Sequence, residues 1–531
     1  MDVGAGDAAT ASALVAALSD PGLYPHAPER VELVETHVSW VFLAGDRVYK
    51  LKKPLVLPFL DYGTPQRRRD MCAEEVRLGR RLAPRVYLGV RALVPDGDGW
   101  RLGDADDPAA ADYVVEQRRF DERQTLQARL ERGEDGAEAV RRLAAVLARF
   151  HAEAERAPRG RFGAPAVARA VHENFETLAA IADLPERGRL AAAHRFATAF
   201  LDGRWELLAA REAAGHVREG HGDLRLEHVI CDGDDVQVFD PVEFDPALRF
   251  IDVAADVAFL VMELAHLGRD DLARELADAY RAAGGDLGPA ELLAFYAAYR
   301  AWVRAKVAFV RAAELDPGDA RRAEAVERGR ALAATAGRLE WRARGPLALV
   351  VCGGAATGKT HLARELARLS GWAHVSSDAV RKELAGIAPT ERAPLEQYRE
   401  EASLRTYAAL GERARAVVAA GEGVIVDATF RRRTHREAFT AAYGDDVPAP
   451  WFVECRAPAS VVAERAAARM RDPARVSDAT AEIAARHRRE FEPLDEVPAG
   501  RHLLVRTDRP VAEIADRVTA AIDAERWAAG G

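Results

Sequence analysis

Between residues 31 and 60 apolar and polar positions alternate with a period of two. "SWVFL" and "RVYKLKKP" flank a turn at "AGD", which predicts a hairpin whose second strand carries lysines. From about Met71 the period becomes helical through "CAEEVRLGRRLAP" and stops at Pro84, and "DYVVEQRRF" then returns to strand. Residues 137–340 are mostly helical in pattern, interrupted by two short strand-like pieces, "HVICD" and "VQVFD", joined by a turn at Gly233. After "RARGP" the apolar run "LALVVCGG" opens a region where short buried strands alternate with helices, the pattern of a parallel α/β sheet. The expected organisation is therefore α+β followed by α/β. Residues 1–340 form a small β-rich lobe at about 25–116 and a helical lobe at about 117–340; residues 344–531 form a separate domain, with the boundary near 343.

Composition narrows the class. The chain has 531 residues, of which 49% are hydrophobic and 30% charged, and a formal charge of −9. That describes a globular protein with ample core, and the acidic balance argues against a dedicated nucleic-acid binder. "VAADVAFLVMELAHL" is interrupted by Asp256 and Glu263, short of the roughly 20 apolar residues a membrane span needs. Met1 is followed by Asp2 and Asp7, which does not resemble a secretion signal. The four cysteines are far apart and outside any metal-ligand spacing, as expected in a reducing cytoplasm.

The most specific local chemistry is "GGAATGKT". Gly353, Gly354, Ala355, Ala356, Thr357 and Gly358 can wrap backbone N–H groups around phosphates, Lys359 can reach the β/γ oxygens, and the Thr360 hydroxyl can hold Mg²⁺. The strand "GVIVDATF" ends on Asp427, a second candidate on the metal side. Ala428 and Thr429 follow it, so the water-activating Glu of a motor ATPase is missing. In "SSDAVRKEL", Asp378 and Arg381 stand one helical turn apart, where the first can orient an acceptor hydroxyl and the second can hold the acceptor. "ERAAARMRD" sets Arg465 and Arg469 on one helix face, suited to bringing positive charge onto a transferring phosphoryl group. In their order, these motifs over residues 346–510 resemble the P-loop kinases related to gluconate kinase, polynucleotide kinase and zeta-type toxins. The resemblance implies Asp378 as the acceptor's base, Arg381 and Arg436 as acceptor or phosphate contacts, and Arg465 and Arg469 as lid arginines.

"HGDLRLEHVICDGDDVQVFDPVEF" holds Asp223 after a turn and Asp240 after a strand, separated by a hairpin. One carboxylate can serve a substrate hydroxyl while the other holds Mg²⁺ on the β/γ-phosphates. Upstream, Lys50 and Lys52 share a strand face, and Glu74 and Glu75 lie on the following helix, as a lysine–glutamate phosphate clamp requires. With "VFLAGDRVYKLKKP", "EEVRLGRRLAPRVYLGV", "RFHA", "ENFETL" and "VEFDPALRFIDVAADVAFL", this half resembles aminoglycoside phosphotransferase-like kinases, whose fold is bilobal and protein-kinase-like. The whole chain is similar to bacterial proteins that fuse such a domain to an ATP-binding kinase. The resemblance implies Asp223 as catalytic base, Asp240 as Mg²⁺ ligand, Lys50 as phosphate lysine and Glu75 as its partner, with Lys52 and Glu74 the adjacent rivals. His228 occupies the position of a metal-binding Asn in that pattern, and Arg225 that of a His. His221 is read as bracing the catalytic turn, and Arg300 and Arg304 as a solvated helix face.

The expected function is an ATP- and Mg²⁺-dependent phosphotransferase acting on a small hydroxylated acceptor. Two alternatives remain open: a regulator whose first half binds ATP without catalysis, and a polynucleotide or toxin-like kinase acting through the second half.

Overall fold

A computed structural model describes residues 5–57, 60–388, 391, 394–470 and 481–528. The chain divides into two compact units, neither continuous in sequence: residues 1–169 with 207–288, and residues 170–206 with 289–531.

The first unit is organised by a six-stranded antiparallel sheet. Its spatial order is Val31–Glu35, Ser39–Ala44, Arg47–Lys52, Asp112–Arg118, Tyr87–Asp96, Gly99–Asp104. The hairpin around Gly45 forms as the alternation predicts. The pair Tyr87–Asp96 and Gly99–Asp104 was not anticipated, although the "DGDG" turn between them is a hairpin signal. The helix expected from Met71 begins earlier, at Pro65, because the Thr64 hydroxyl accepts the Arg67 N–H and Pro65 suits the first turn. Alternation along Arg47–Lys52 sends Tyr49 and Leu51 into one core with Leu14, Leu18 and Phe42. Lys50 and Lys52 consequently project toward the helix Pro65–Gly79 on the other face. The second hairpin, Val229–Asp232 with Asp235–Val238, forms as expected, and an unanticipated short pair joins Val217–Glu219 to Phe250–Asp252.

The second unit contains a five-stranded parallel sheet, in the order Ala373–Ser376, Val424–Asp427, Ala348–Cys352, Trp451–Arg456, His502–Arg506. Both faces are covered. Val351, Ile425 and Val453 pack with Leu362, Leu366, Ile514 and Val518 on one side; Val350, Val426 and Phe452 pack with Tyr407, Leu410 and Phe439 on the other. Double-sided burial is why these strands read as unbroken apolar runs. The helices Ala290–Glu314 and Ala320–Ala343 belong to this unit and pack along each other. Arg300, expected on a solvated face, is buried there with its guanidinium over the Tyr299 ring.

Arg344, in the stretch read as a boundary, is 3% exposed. Its Nε and Nη2 donate to the Asp523 carboxylate at 2.7 and 2.8 Å, and its guanidinium lies over Phe196 and Trp341. Removing one partner of a buried ion pair leaves the other charge unpaired. Arg344→Ala should therefore destabilise this unit by about 3–5 kcal/mol, read as a lower urea midpoint of tryptophan fluorescence. The added Asp523→Ala change should restore part of the loss.

Candidate active sites

In the first unit Glu75 is fully buried and shared by two lysines. Lys50 Nζ donates to Glu75 Oε1 at 3.1 Å and Lys52 Nζ to Oε2 at 2.6 Å. The two lysines then diverge. Lys52 is sealed in with Glu243 and Tyr62, whereas Lys50 reaches Asp240 Oδ1 at 2.7 Å. Burial alone would depress the Lys50 ammonium, but Asp240 and Glu75 outweigh it and hold its pKa well above the ordinary lysine value. The same balance applies at Asp240. Burial raises the carboxyl, and the charge of Lys50 more than reverses this, keeping it ionised. Glu74 turns away to Arg77 and Arg249. Of the four lysine–glutamate combinations open in the sequence, Lys50 with Glu75 is the one that meets Asp240.

Asp240 has φ of +62°, uncommon for a residue with a side chain, and its N–H is held by the Tyr87 hydroxyl at 3.0 Å. The opposing turn is braced from below. Asp256, wholly buried, accepts the N–H groups of His221 and Gly222 at 2.7 and 3.0 Å and receives His151 Nε2 at 3.1 Å. A Cβ on Gly220 would lie 2.4 Å from Asp256 Oδ2, so only glycine admits this approach. His221 Nε2 donates to the Phe239 carbonyl at 2.9 Å, leaving Nδ1 to accept the Asp223 N–H at 3.3 Å. That fixes a neutral imidazole, and burial lowers its pKa to about 4. Arg225 and the Leu226 N–H both bond Glu263. His228 stands between the carboxylates: Nδ1 is 3.9 Å from Asp223 Oδ2 and Nε2 is 3.8 Å from Asp240 Oδ2.

In the second unit the loop 353–358 joins the strand Ala348–Cys352 to the helix Lys359–Ser370. Gly353 has φ of +137°, and a Cβ there would meet the Cys455 carbonyl at 2.5 Å. Ala356 at φ +60° and Phe430 at φ +48° are likewise strained. Three of the four non-glycine residues with positive φ among those described thus lie in candidate-site loops, where such strain is commonly held.

Asp427, Asp378 and Lys359 share one electrostatic environment. Burial raises Asp378 above the ordinary carboxylate value; Lys359 opposes this and Asp427 adds to it. At Asp427 burial is overcome by His374, Lys359 and Thr360, so its pKa is lowered. Asp427 Oδ1 is buried with no hydrogen-bond partner among the described residues. An orphaned carboxylate oxygen beside the Thr360 hydroxyl is an all-oxygen donor pair that fits Mg²⁺.

The arginines separate by role. Arg436 is 1% exposed, and all five of its N–H donors are taken up, by Glu496 and by the carbonyls of Phe430, Glu492 and Pro493. It ties the 492–496 segment to the Phe430 corner and does not enter the site, contrary to the expected acceptor contact. Arg381 is buried, donates to the Gln397 carbonyl and lies over the Tyr398 ring, with Nε unpartnered among the described residues. Arg465 bonds the Thr357 carbonyl at 3.3 Å and the Thr507 carbonyl at 2.6 Å, so it joins the phosphate loop to the end of the last strand. The Arg469 side chain lies outside the described residues. Next to Gly358 is a cavity of about 470 Å³, lined by His361, Arg465, Thr507, Pro510 and Ile514. Sequence reasoning missed it, because its walls come from helix starts and a strand end with no compact motif.

The chain thus carries one unit built on an antiparallel sheet and a second built on a parallel sheet, with a glycine-rich loop between the strand Ala348–Cys352 and the helix Lys359–Ser370. The AAA domain family matches residues 349–494. The uncharacterized protein Rv2004c of Mycobacterium tuberculosis (strain ATCC 25618 / H37Rv) is 36% identical over 464 residues, covering 86% of this chain and 89% of that protein. Uncharacterized protein Mb2027c of Mycobacterium bovis gives the same figures. The chain belongs to their family. Among solved structures, a gluconokinase from Sinorhizobium meliloti 1021 is 23% identical, covering 33% of this chain and 91% of its own, with a TM-score of 0.26. A choline/ethanolamine kinase family protein from Mesorhizobium loti is 16% identical, covering 61% and 94%, with a TM-score of 0.37. No helix among the described residues is long and apolar enough to cross a membrane.

The neutral histidines predict a pH dependence of stability. His221 in the first unit and His435 and His487 in the second all have pKa values lowered by burial to about 4. The unfolded chain, with histidine near 6.5, takes up these protons first, so stability falls as pH drops from about 6.5 toward 4. The thermal midpoint should decline over that window, and His221→Gln should make the decline shallower.

Proposed function

We propose that this protein is an ATP-dependent phosphotransferase that moves the γ-phosphoryl group to a hydroxyl of a small acceptor, using Mg²⁺ and two kinase-type domains, residues 1–340 and 344–531. One observation carries the reading: in the second unit, Lys359, Thr360 and Asp427 converge with Asp378, whose raised pKa suits a group that takes a proton from a hydroxyl. Lys359 and the loop N–H groups would hold the β/γ-phosphates, Thr360 and Asp427 the metal, and Asp378 the acceptor. The cavity beside Gly358 would take the nucleotide base. In the first unit the corresponding reading gives Lys50 to the phosphates, with Glu75 as its support, Asp240 to the metal and Asp223 to the acceptor hydroxyl.

Tests on the full chain separate the two sites. Lys359→Ala should abolish turnover that depends on the second unit, measured with γ-labelled ATP against a panel of hydroxylated metabolites, while Asp223→Asn should spare it. Asp378→Asn should lower kcat by about 10²–10⁴-fold with ATP binding largely intact. If ATP affinity collapsed while transfer at saturation survived, Asp378 would be a nucleotide–metal residue and the assignment would be wrong.

A further inference from the structure

The first unit's site has an unusual donor set. His228 Nδ1 lies 3.0 Å from the Asp223 backbone carbonyl, which can only accept, so this nitrogen carries the hydrogen. In the neutral ring Nε2 therefore presents a lone pair, and it faces Asp240 Oδ2 at 3.8 Å and Glu227 Oε1 at 3.8 Å. The ring cannot easily turn away. Its backbone N–H donates to the Arg225 carbonyl, its carbonyl accepts the Phe239 N–H, the residue is 6% exposed, and the Phe239 ring packs against it at 5.4 Å. Asp240 meanwhile gives Oδ1 to Lys50 and keeps Oδ2 on the imidazole side.

Two donors on one six-coordinate ion stand about 3 Å apart, so closure by less than 1 Å would let Asp240 Oδ2 and His228 Nε2 share a cation. No group of three or more His, Cys, Asp or Glu among the described residues is arranged to hold a metal alone. The remaining positions must therefore come from phosphate oxygens and water. Mg²⁺ takes oxygen donors and is a poor partner for imidazole, whereas Mn²⁺ accepts carboxylate, phosphate and imidazole together.

We propose that His228 Nε2 is a metal ligand, and that together with Asp240 it makes the first unit's nucleotide site selective for Mn²⁺ over Mg²⁺. This inference rests on the reading of that unit as a nucleotide site. The test uses the full chain with Lys359→Ala, to suppress the second site, and AMP-PNP as probe. Pulsed EPR of the Mn²⁺–AMP-PNP complex should show a nitrogen coupling that changes on ¹⁵N-histidine labelling and disappears in His228→Asn. The ratio of AMP-PNP affinities in Mn²⁺ and Mg²⁺ should fall by about 10-fold or more in that variant. Labelling needs no change at His228, so the coupling can be read even if the variant folds poorly. Tight AMP-PNP binding with equal affinity in both metals, and no coupling that depends on His228, would overturn the inference while leaving the nucleotide site standing. Failure to bind AMP-PNP with either metal would overturn the nucleotide reading and the inference with it.

Discussion

The buried carboxylate of Glu75 is the constraint on which the first unit depends. A charge removed from water must be matched where it lies, and Glu75 at 0% exposure is matched twice, by Lys50 and by Lys52. Those contacts pin the helix Pro65–Gly79 to the strand Arg47–Lys52. Lys52 passes the constraint to Glu243 and Lys50 passes it to Asp240, so both ends of the segment after the second hairpin are positioned by charge. Because Lys52 carries most of the structural duty, Lys50 keeps a partly open head beside the Asp240 carboxylate.

The second unit solves a similar problem with backbone. Parallel strands buried on both faces fix the ends of Ala348–Cys352 and Val424–Asp427 side by side, and the loop from Gly353 takes torsions that few side chains tolerate. Its candidate phosphate loop is thus shaped by main-chain torsions, whereas the first unit's candidate site is made of charged side chains. The consequence is a difference in vulnerability. A side chain at Gly353 would clash with the Cys455 carbonyl, whereas a change of charge at Lys50, Glu75 or Asp240 would leave a partner unpaired.

Buried polar groups in both units fall into two kinds. Some are saturated by the protein, as with Arg436, Arg344 and Asp256, and these hold elements in place. Others carry an atom with no hydrogen-bond partner among the described residues, as with Asp427 Oδ1 and Arg381 Nε, and also with the Asn174 amide. Leaving such an atom unpaired costs stability.

Sequence by itself determined what is local. The phosphate loop, the hairpins around Gly45 and Gly233, the apolar strands of the parallel sheet and the Asp223–Asp240 spacing are each written within a few dozen residues, where turn chemistry and periodicity act directly. It also showed two candidate lysines and two candidate glutamates without separating them, and it missed the strands Tyr87–Asp96 and Gly99–Asp104. Only the tertiary structure decided that Lys50 meets Asp240, that Arg436 and Arg300 are buried and that Arg344 anchors a helix packing with Asp523. It alone turned His228 Nε2 toward Asp240. Lys50 and Asp240 are 190 residues apart and Arg344 and Asp523 179, and burial, which decides whether a charge must be paired, is a property of the packed chain that no local pattern contains.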